Sequence, residues 1–228
     1  MKIEIKKEVF NKYPQLRLVF FVLKKINNQH HLEESRHLLE EMENYVHLSF
    51  NKDNLKTHLL IAPWATAQQE FGPKAHHYHT SVERLMRKVF EHKSILTKDT
   101  LTNVLQYLCL KHIVPGSADD LEQVQGNLTF ALAKGKEKVS LFAELKEKAF
   151  YYRDEKGVLG LKLDYWKSSR TRVGKNTTKA LVHFGILPPL TLKQRTKLIQ
   201  EAEESFKDFL QTPVKVIILN SRKTTAKI

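Results

Sequence analysis

Apolar residues form an almost continuous run near the amino terminus. Residues 16–23 read LRLVFFVL, and a polar Asn27-Asn28 pair follows them. A short apolar run that ends at turn residues is typical of a buried strand. The sequence therefore predicts a strand over residues 16–23.

Four further segments repeat apolar residues at the three- and four-residue spacing of an amphipathic helix. Thr80 and Glu83 fit a capping box ahead of the second segment, and Asp99 is a suitable first residue for the third. Pro115-Gly116 ends the third segment and Pro188-Pro189 precedes the fourth. The predicted apolar stripes are Leu32, Leu38, Leu39, Met42 and Val46; Val82, Leu85, Met86, Val89 and Phe90; Leu101, Leu105, Leu108 and Cys109; and Leu198, Ile199, Ala202, Phe206, Phe209 and Leu210.

Strand-like segments separated by Gly- and Lys-rich turns occupy most of the carboxyl-terminal half. The predicted strands cover residues 128–133, 149–152, 158–163, 181–184 and 214–219. Together the helices and strands predict an α+β fold, in which mixed β-sheets and packed helices form one compact domain over residues 1–220. The polar, basic tail at residues 221–228 is expected to fray.

Composition restricts the class of protein. The chain has 228 residues, one cysteine (Cys109) and no apolar run long enough to span a bilayer, and its first residues lack the pattern of a signal peptide. We therefore expect a cytoplasmic protein without a membrane contact. The sequence has no Gly-rich phosphate loop, and residues 76–79 (HHYH) lack a recognised metal-ligand spacing, so no cofactor and no metal are expected.

Basic residues outnumber acidic ones, 38 to 25, which gives a formal net charge of +13. Such a charge favours a polyanionic partner, although it is also compatible with a protein that is merely kept soluble. The densest basic segment is residues 162–179, where cations alternate with Tyr165 and Trp166. Cations that bind phosphates beside aromatic rings that stack on bases favour single-stranded nucleic acid. The alternative is a solvated basic loop with Trp166 in the core.

Several motifs resemble a known family when taken in order. They are WATAQQEFG at residues 64–72, SVERLMR at 81–87, PGSADDL at 115–121 and the pair Arg170-Thr171. These segments are similar to those of stand-alone B3/B4-domain proteins, free-standing relatives of the editing domain of the phenylalanyl-tRNA synthetase β-subunit. The resemblance implies an α+β domain whose pocket accepts the aminoacylated 3′ end of tRNA. The implied partner is tRNA or aminoacyl-tRNA, and no DNA partner is expected.

The resemblance also implies site residues. By analogy with the family pocket, the catalytic candidates are Asn103, Gln106 and Ser117, the substrate-binding candidates are Gly116, Asp120 and Thr171, and the RNA-binding candidates are Arg87, Lys167, Arg170, Arg172 and Lys175. Asn103 and Gln106 could instead face solvent, and Gly116 could serve only the turn. Relatives carry Asp and Asn where this chain has Asn103 and Gln106, so specificity for tyrosine is not implied.

The predicted function is that of a trans-acting aminoacyl-tRNA deacylase that hydrolyses a mischarged ester. Such a reaction needs little machinery, because the aminoacyl ester is already activated and only a positioned water and a stabilised oxyanion are required. Two alternatives stay open at this point: a tRNA- or RNA-binding module that has no catalytic activity, and an amino acid-binding sensor.

Overall fold

The computed structural model describes residues 1–53, 55–64, 80–140, 143–161 and 166–228, and three layers are evident within them. Helices cover one face of a four-stranded sheet, and a six-stranded sheet covers the other face. This arrangement confirms the predicted α+β class. The strands are β1 (Lys2–Ile5), β2 (Arg17–Lys24), β3 (Gly116–Asp120), β4 (Leu128–Leu132), β5 (Lys138–Ser140), β6 (Ala143–Glu144), β7 (Phe150–Arg153), β8 (Val158–Leu161), β9 (Trp166–Lys167), β10 (Lys179–Ile186), β11 (Val214–Leu219) and β12 (Thr225–Lys227).

The two main sheets differ in their strand order. The four-stranded sheet runs β11-β2-β10-β3 and is antiparallel throughout. The six-stranded sheet runs β12-β1-β4-β7-β8-β9 and contains one parallel pair, β1 with β4. Strands β5 and β6 form a separate hairpin.

The apolar run predicted as a strand forms β2, which lies inside the four-stranded sheet. Successive side chains of a strand point to opposite faces, so a strand covered on both sides needs apolar residues at every position. Each fully buried side chain of this size contributes roughly 2 kcal/mol to folding. Val19, Phe21 and Leu23 pack against the helices, whereas Leu18, Phe20 and Val22 pack against the six-stranded sheet.

Three of the described helices begin at side-chain caps that the sequence partly reveals. Thr80 accepts a hydrogen bond from the Glu83 amide, and Asp99 accepts one from the Thr102 amide. Thr191 and Gln194 form a complete capping box, which satisfies amides that the first helical turn leaves unpaired. The helices are α1 (Lys7–Lys12), α2 (Leu32–Ser49), α3 (Ser81–Phe90), α4 (Thr100–His112) and α5 (Leu192–Leu210), with a 3₁₀ turn at Leu55–Thr57.

The carboxyl-terminal segment differs from its prediction. We expected the residues after Asn220 to fray, but Thr225–Lys227 forms strand β12, which pairs antiparallel with β1. The correction has a simple cause: Ala226 and Ile228 are apolar residues at alternate positions, and both pack against the core between the sheets.

The described helices include none that is both long enough and apolar enough to cross a bilayer. Cys109 lies in the helix-covered core with 1% of its surface exposed, as the apolar stripe of its helix predicted.

Candidate functional site

Strand β3 carries alternating polar side chains at the edge of the four-stranded sheet. Ser117 pairs with His183, and Asp119 pairs with Leu181, which belongs to the core between the two sheets. Residues directly opposite each other in an antiparallel pair share one face. Ser117 and Asp119 therefore face the six-stranded sheet, whereas Gly116 and Ala118 face the helices.

Asp119 is completely buried and forms the centre of a polar group. One carboxylate oxygen accepts from Lys167 Nζ at 2.6 Å and from Thr171 Oγ1 at 2.5 Å, and the other accepts from the Tyr152 hydroxyl at 3.0 Å. Lys167 Nζ also lies 3.1 Å from that hydroxyl. A buried charge is tolerated when it is paired and fully hydrogen-bonded. We call Asp119, Tyr152, Lys167 and Thr171 the Asp119 cluster.

Aromatic rings extend from the Asp119 cluster toward Ser117. Tyr152 stacks on Phe130 with ring centroids 4.8 Å apart, and His183 makes edge contacts with both rings at 5.2 and 5.7 Å. Ser117 is therefore next to a buried imidazole on its own sheet and faces an aromatic wall on the other sheet. The hydroxyl of Ser117 has no hydrogen-bond partner among the residues that the structure describes.

Gly116 is required where β3 approaches the helices. Its amide donates to Ser81 Oγ at 3.1 Å. A Cβ atom at this position would lie 2.7 Å from Phe184 Cδ1 and 2.9 Å from Cys109 Sγ, closer than packed atoms allow. Gly116 thus sets the position of β3, and its amide is already used within the protein.

Asn103 and Gln106 lie on α4 and contact the segment that leads into that helix. The Asn103 carbonyl oxygen accepts from the amide and hydroxyl of Thr97 at 2.8 Å each, and its amide group donates to Ser35 at 3.1 Å. The Gln106 side chain donates to the Ile95 carbonyl at 2.9 Å. The structure therefore does not bring these two candidates together with Ser117, which faces the other side of the sheet.

The substrate-binding candidates Asp120 and Thr171 hold the loop after β9 against β3. Asp120 accepts from the Thr177 hydroxyl at 2.7 Å and from the Glu122 amide at 2.9 Å, while its own amide donates to the Thr171 carbonyl. Thr171 is fully buried in the Asp119 cluster. Thr171 contacts Asp119, which shares a face with Ser117, whereas Asp120 lies on the other face of β3, and both candidates are engaged in contacts within the protein.

A second buried acid, Asp154, binds Arg170. One oxygen of Asp154 accepts from Arg170 at 2.7 Å and from the amides of Lys156 and Gly157, and the other accepts from the Gln125 amide. Burial by itself raises the pKa of the Asp154 carboxyl, but Arg170 and these amides outweigh burial and hold the pKa below its usual value of 3.8. Arg170 also donates to the Gln123 carbonyl, so its guanidinium ties three segments together.

The five RNA-binding candidates fall into two groups. Lys167 and Arg170 bind the buried acids, and Arg87 forms an ion pair with Glu83 at 3.2 Å. Arg172 and Lys175 are exposed and form no salt bridge within the described ranges. The second group is available to a phosphate, whereas the first mainly stabilises the fold.

Some sequence predictions fall outside the described residues. These are the histidine-rich residues 76–79, most of the motif at 64–72, and residues 162–165 of the basic segment. Across the ranges that the structure describes, no group of three or more His, Cys, Asp or Glu side chains could hold a metal ion.

Sequence reasoning did not single out Asp119, Tyr152 or His183. The signal was present in part, because Ser117 and Asp119 occupy alternate positions of a segment that we took for a turn. Polar residues two apart share one face of a strand. Tyr152 and His183 come from strands distant in sequence, and nothing in the local pattern connects them to β3.

Comparison with known proteins identifies the family. The model of the B3/4 domain matches residues 64–212, more than half of the chain. A solved N-terminal fragment of the phenylalanyl-tRNA synthetase β-subunit from Pyrococcus horikoshii is similar at 9% identity with a TM-score of 0.44. That likeness covers 95% of this chain and 53% of the other, so this chain spans about half of that fragment. A search of curated proteins finds no match. On the strength of the family match, and in agreement with its motifs, the chain belongs to the B3/4 domain family.

Proposed function

We propose that this protein binds the aminoacylated end of tRNA and hydrolyses a mischarged aminoacyl ester. Membership of the B3/4 family supports a tRNA-related function. The net charge of +13 also suits a polyanionic partner.

The observation that carries the proposal is the position of Ser117. Ser117 as a residue is 6% exposed, and its hydroxyl faces the other sheet and has no hydrogen-bond partner within the described part of the chain. A hydroxyl in this position can bind a water molecule or a ribose oxygen without giving up a contact inside the protein. The Asp119 cluster holds the surrounding strands rigidly, which favours precise positioning.

The proposed reaction is an ester hydrolysis. The oxygen of a water molecule bonds to the acyl carbon, the ester carbon–oxygen bond breaks, and the terminal ribose oxygen leaves with a proton. Ser117 orients the water or the ribose, and no covalent intermediate on the protein is required. Arg172 and Lys175 contact phosphates near the end of the RNA, since both are exposed and unpaired among the described residues.

One observation favours a second candidate, a tRNA-binding module without catalytic activity. The acid nearest to Ser117 along β3 is Asp119, and its two oxygens are occupied by Lys167, Thr171 and Tyr152. A carboxylate that accepts these bonds is poorly placed to remove a proton from water. The two candidates make opposite predictions for turnover.

A deacylation time course against correctly and wrongly charged tRNAs distinguishes the two functions. We expect the wild type to release one amino acid rapidly and Ser117→Ala to release it about 100-fold more slowly, the loss typical of a removed transition-state contact. Ser221→Ala, on the exposed tail turn, is the matched control and should keep the full rate. Gln106→Ala tests the other predicted catalytic residue in the same assay.

The possible outcomes of this assay distinguish the deacylase from the binding module. Release that Ser117→Ala does not slow would contradict the site. Binding of uncharged and charged tRNA without release, across the whole panel, would favour the non-catalytic module.

A further inference from the structure

Two arginines meet in a cleft at the end of the four-stranded sheet, away from the Asp119 cluster. Arg17 begins β2 and pairs with Ile186 at the end of β10, and Arg195 lies in the first turns of α5. A cavity of about 350 Å³ separates these elements. Its wall includes Gln15, Arg17, Pro188, Pro189, Leu192 and Arg195, which we call the arginine cleft.

No acidic side chain among the described residues neutralises the charges of the arginine cleft. Within the described ranges, neither guanidinium forms a salt bridge or a hydrogen bond, and both side chains are half-buried. Burial, with the nearby charge of Arg17, lowers the pKa of Arg195. Two like charges held together in a partly desolvated cleft repel each other, and an anion between them would remove the repulsion.

Three other arginines of the chain behave differently. Arg36, Arg87 and Arg170 each form a salt bridge with a carboxylate. The first turn of α5 contains no acidic residue, so the positive end of this 19-residue helix adds to the field of the cleft. The cleft is therefore basic because of both side chains and backbone.

The apolar part of the wall indicates what accompanies the anion. Pro188, Pro189 and Leu192 line the cleft beside the arginines, and Leu192 is 67% exposed. We propose that the arginine cleft binds the phosphate of a nucleotide unit, with Arg17 and Arg195 on the phosphate oxygens and the prolines and Leu192 against the sugar or base. Planar guanidinium groups suit phosphate because they can donate two parallel hydrogen bonds.

This phosphate has two possible sources, a free mononucleotide and an RNA chain. The site deepens the proposed function in the second case. His183, beside Ser117, is three residues from Ile186 on β10. Strand rise and spacing therefore put the Cα atom of Arg17 roughly 14 Å from that of Ser117. Arg17 shares the helix-covered face with Val19 and Phe21, whereas Ser117 faces the six-stranded sheet, so an RNA chain that contacts both sites passes around the end of the sheet over a longer path than this. Phosphate binding itself does not require any aminoacyl ester, so the cleft can be tested apart from the proposed hydrolysis.

The test uses the full chain and three probes: inorganic phosphate, adenosine monophosphate and uncharged tRNA. The variant is Arg17→Gln/Arg195→Gln. Its matched control is Arg36→Gln/Lys207→Gln, which also removes two positive charges but near the opposite end of α5, since His31 ahead of α2 contacts Phe209. Melting temperatures of both variants check that the fold is kept.

We expect the cleft variant to bind at least one probe about tenfold more weakly than the control does. Loss of monophosphate binding identifies a free nucleotide as the source. For tRNA, the dependence of log K on log salt should become shallower by roughly one unit in the cleft variant relative to the control. A tRNA effect without measurable monophosphate binding identifies an RNA chain.

The Arg17→Lys/Arg195→Lys variant keeps the charge and removes the paired donors. It should bind less tightly than the wild type and more tightly than the glutamine variant. If the cleft variant and the control bind all three probes alike, the proposal is wrong. If the glutamine variant does not fold, the lysine variant is used instead. The proposal is also wrong if the lysine variant binds every probe as tightly as the wild type does, or if the wild type binds none of the three probes. Absence of ester hydrolysis in the deacylation assay would not change the interpretation of these binding measurements.

Discussion

Two basic regions of this protein differ in what their charges contact. In the segment after β8, Lys167 and Arg170 bind the buried carboxylates of Asp119 and Asp154. In the arginine cleft, Arg17 and Arg195 have no acidic partner within the described residues. The first region can be recognised in the sequence because its cations are close together along the chain. The second cannot, because Arg17 and Arg195 are 178 residues apart in the sequence.

The comparison shows that local density of charge does not measure how much charge is available to a ligand. Asp119 lies on strand β3, 48 positions before Lys167, and Asp154 follows strand β7, 16 positions before Arg170. A cation paired with a buried acid contributes mainly to the stability of the fold, because removing it leaves a charge without a partner. A cation without such a partner can bind a phosphate without breaking a contact that stabilises the fold.

The largest expected effect comes from the centre of the first region. Asp119→Asn removes the negative charge that binds Lys167 and should lower the free energy of unfolding by about 3 kcal/mol, the usual cost of breaking a buried ion pair. Chemical denaturation monitored by fluorescence measures this change. Glu122→Gln is the control, since its ion pair with Lys179 at 3.3 Å is exposed and should contribute about 0.5 kcal/mol or less. Equal effects of the two substitutions would show that Asp119 does not hold Lys167, and the two basic regions would then not differ in the way described.

A smaller effect should separate the arginines of the two regions. Arg170→Gln leaves Asp154 with its backbone amides only and should cost about 2 kcal/mol, as for a hydrogen bond to a charged group. Arg195→Gln breaks no contact within the described residues and relieves repulsion with Arg17, so stability should be unchanged or slightly higher. Denaturation in the absence of phosphate and RNA compares the two variants. Destabilisation by Arg195→Gln as large as that by Arg170→Gln would mean that both arginines stabilise the fold.

Sequence predicted the fold better than the site, for reasons that can be traced to individual residues. The run at residues 16–23 and the caps at Thr80 and Asp99 are local signals, and each became the expected strand or helix. Strands β3 and β12 are short and mostly polar, and tertiary pairing rather than propensity forms them. The partners of Asp119 come from β7, from β9 and from the loop after it, so only the three-dimensional arrangement brings them together.

The finest test uses pH to isolate one ion pair of the first region. The pKa of Asp154 in the folded protein lies below its usual value of 3.8, because Arg170 and the amides of Gln125 and Gly157 outweigh the effect of burial, which by itself raises it. A lowered pKa means that the unfolded chain binds a proton more readily than the folded one. The stabilisation is therefore fully present above a pH of about 5 and is lost as the pH falls through 3.8 toward the folded pKa.

Arg170→Gln should raise the folded pKa of Asp154 and so reduce this acid-dependent contribution. We expect the difference in unfolding free energy between wild type and variant to be constant from pH 7 to about pH 5 and to shrink below about pH 4. Arg172→Gln, which removes an exposed cation two residues away, is the control and should track the wild type at every pH. A difference that persists unchanged through the acid range would show that Arg170 stabilises the fold through its bond to the Gln123 carbonyl rather than through the charge of Asp154.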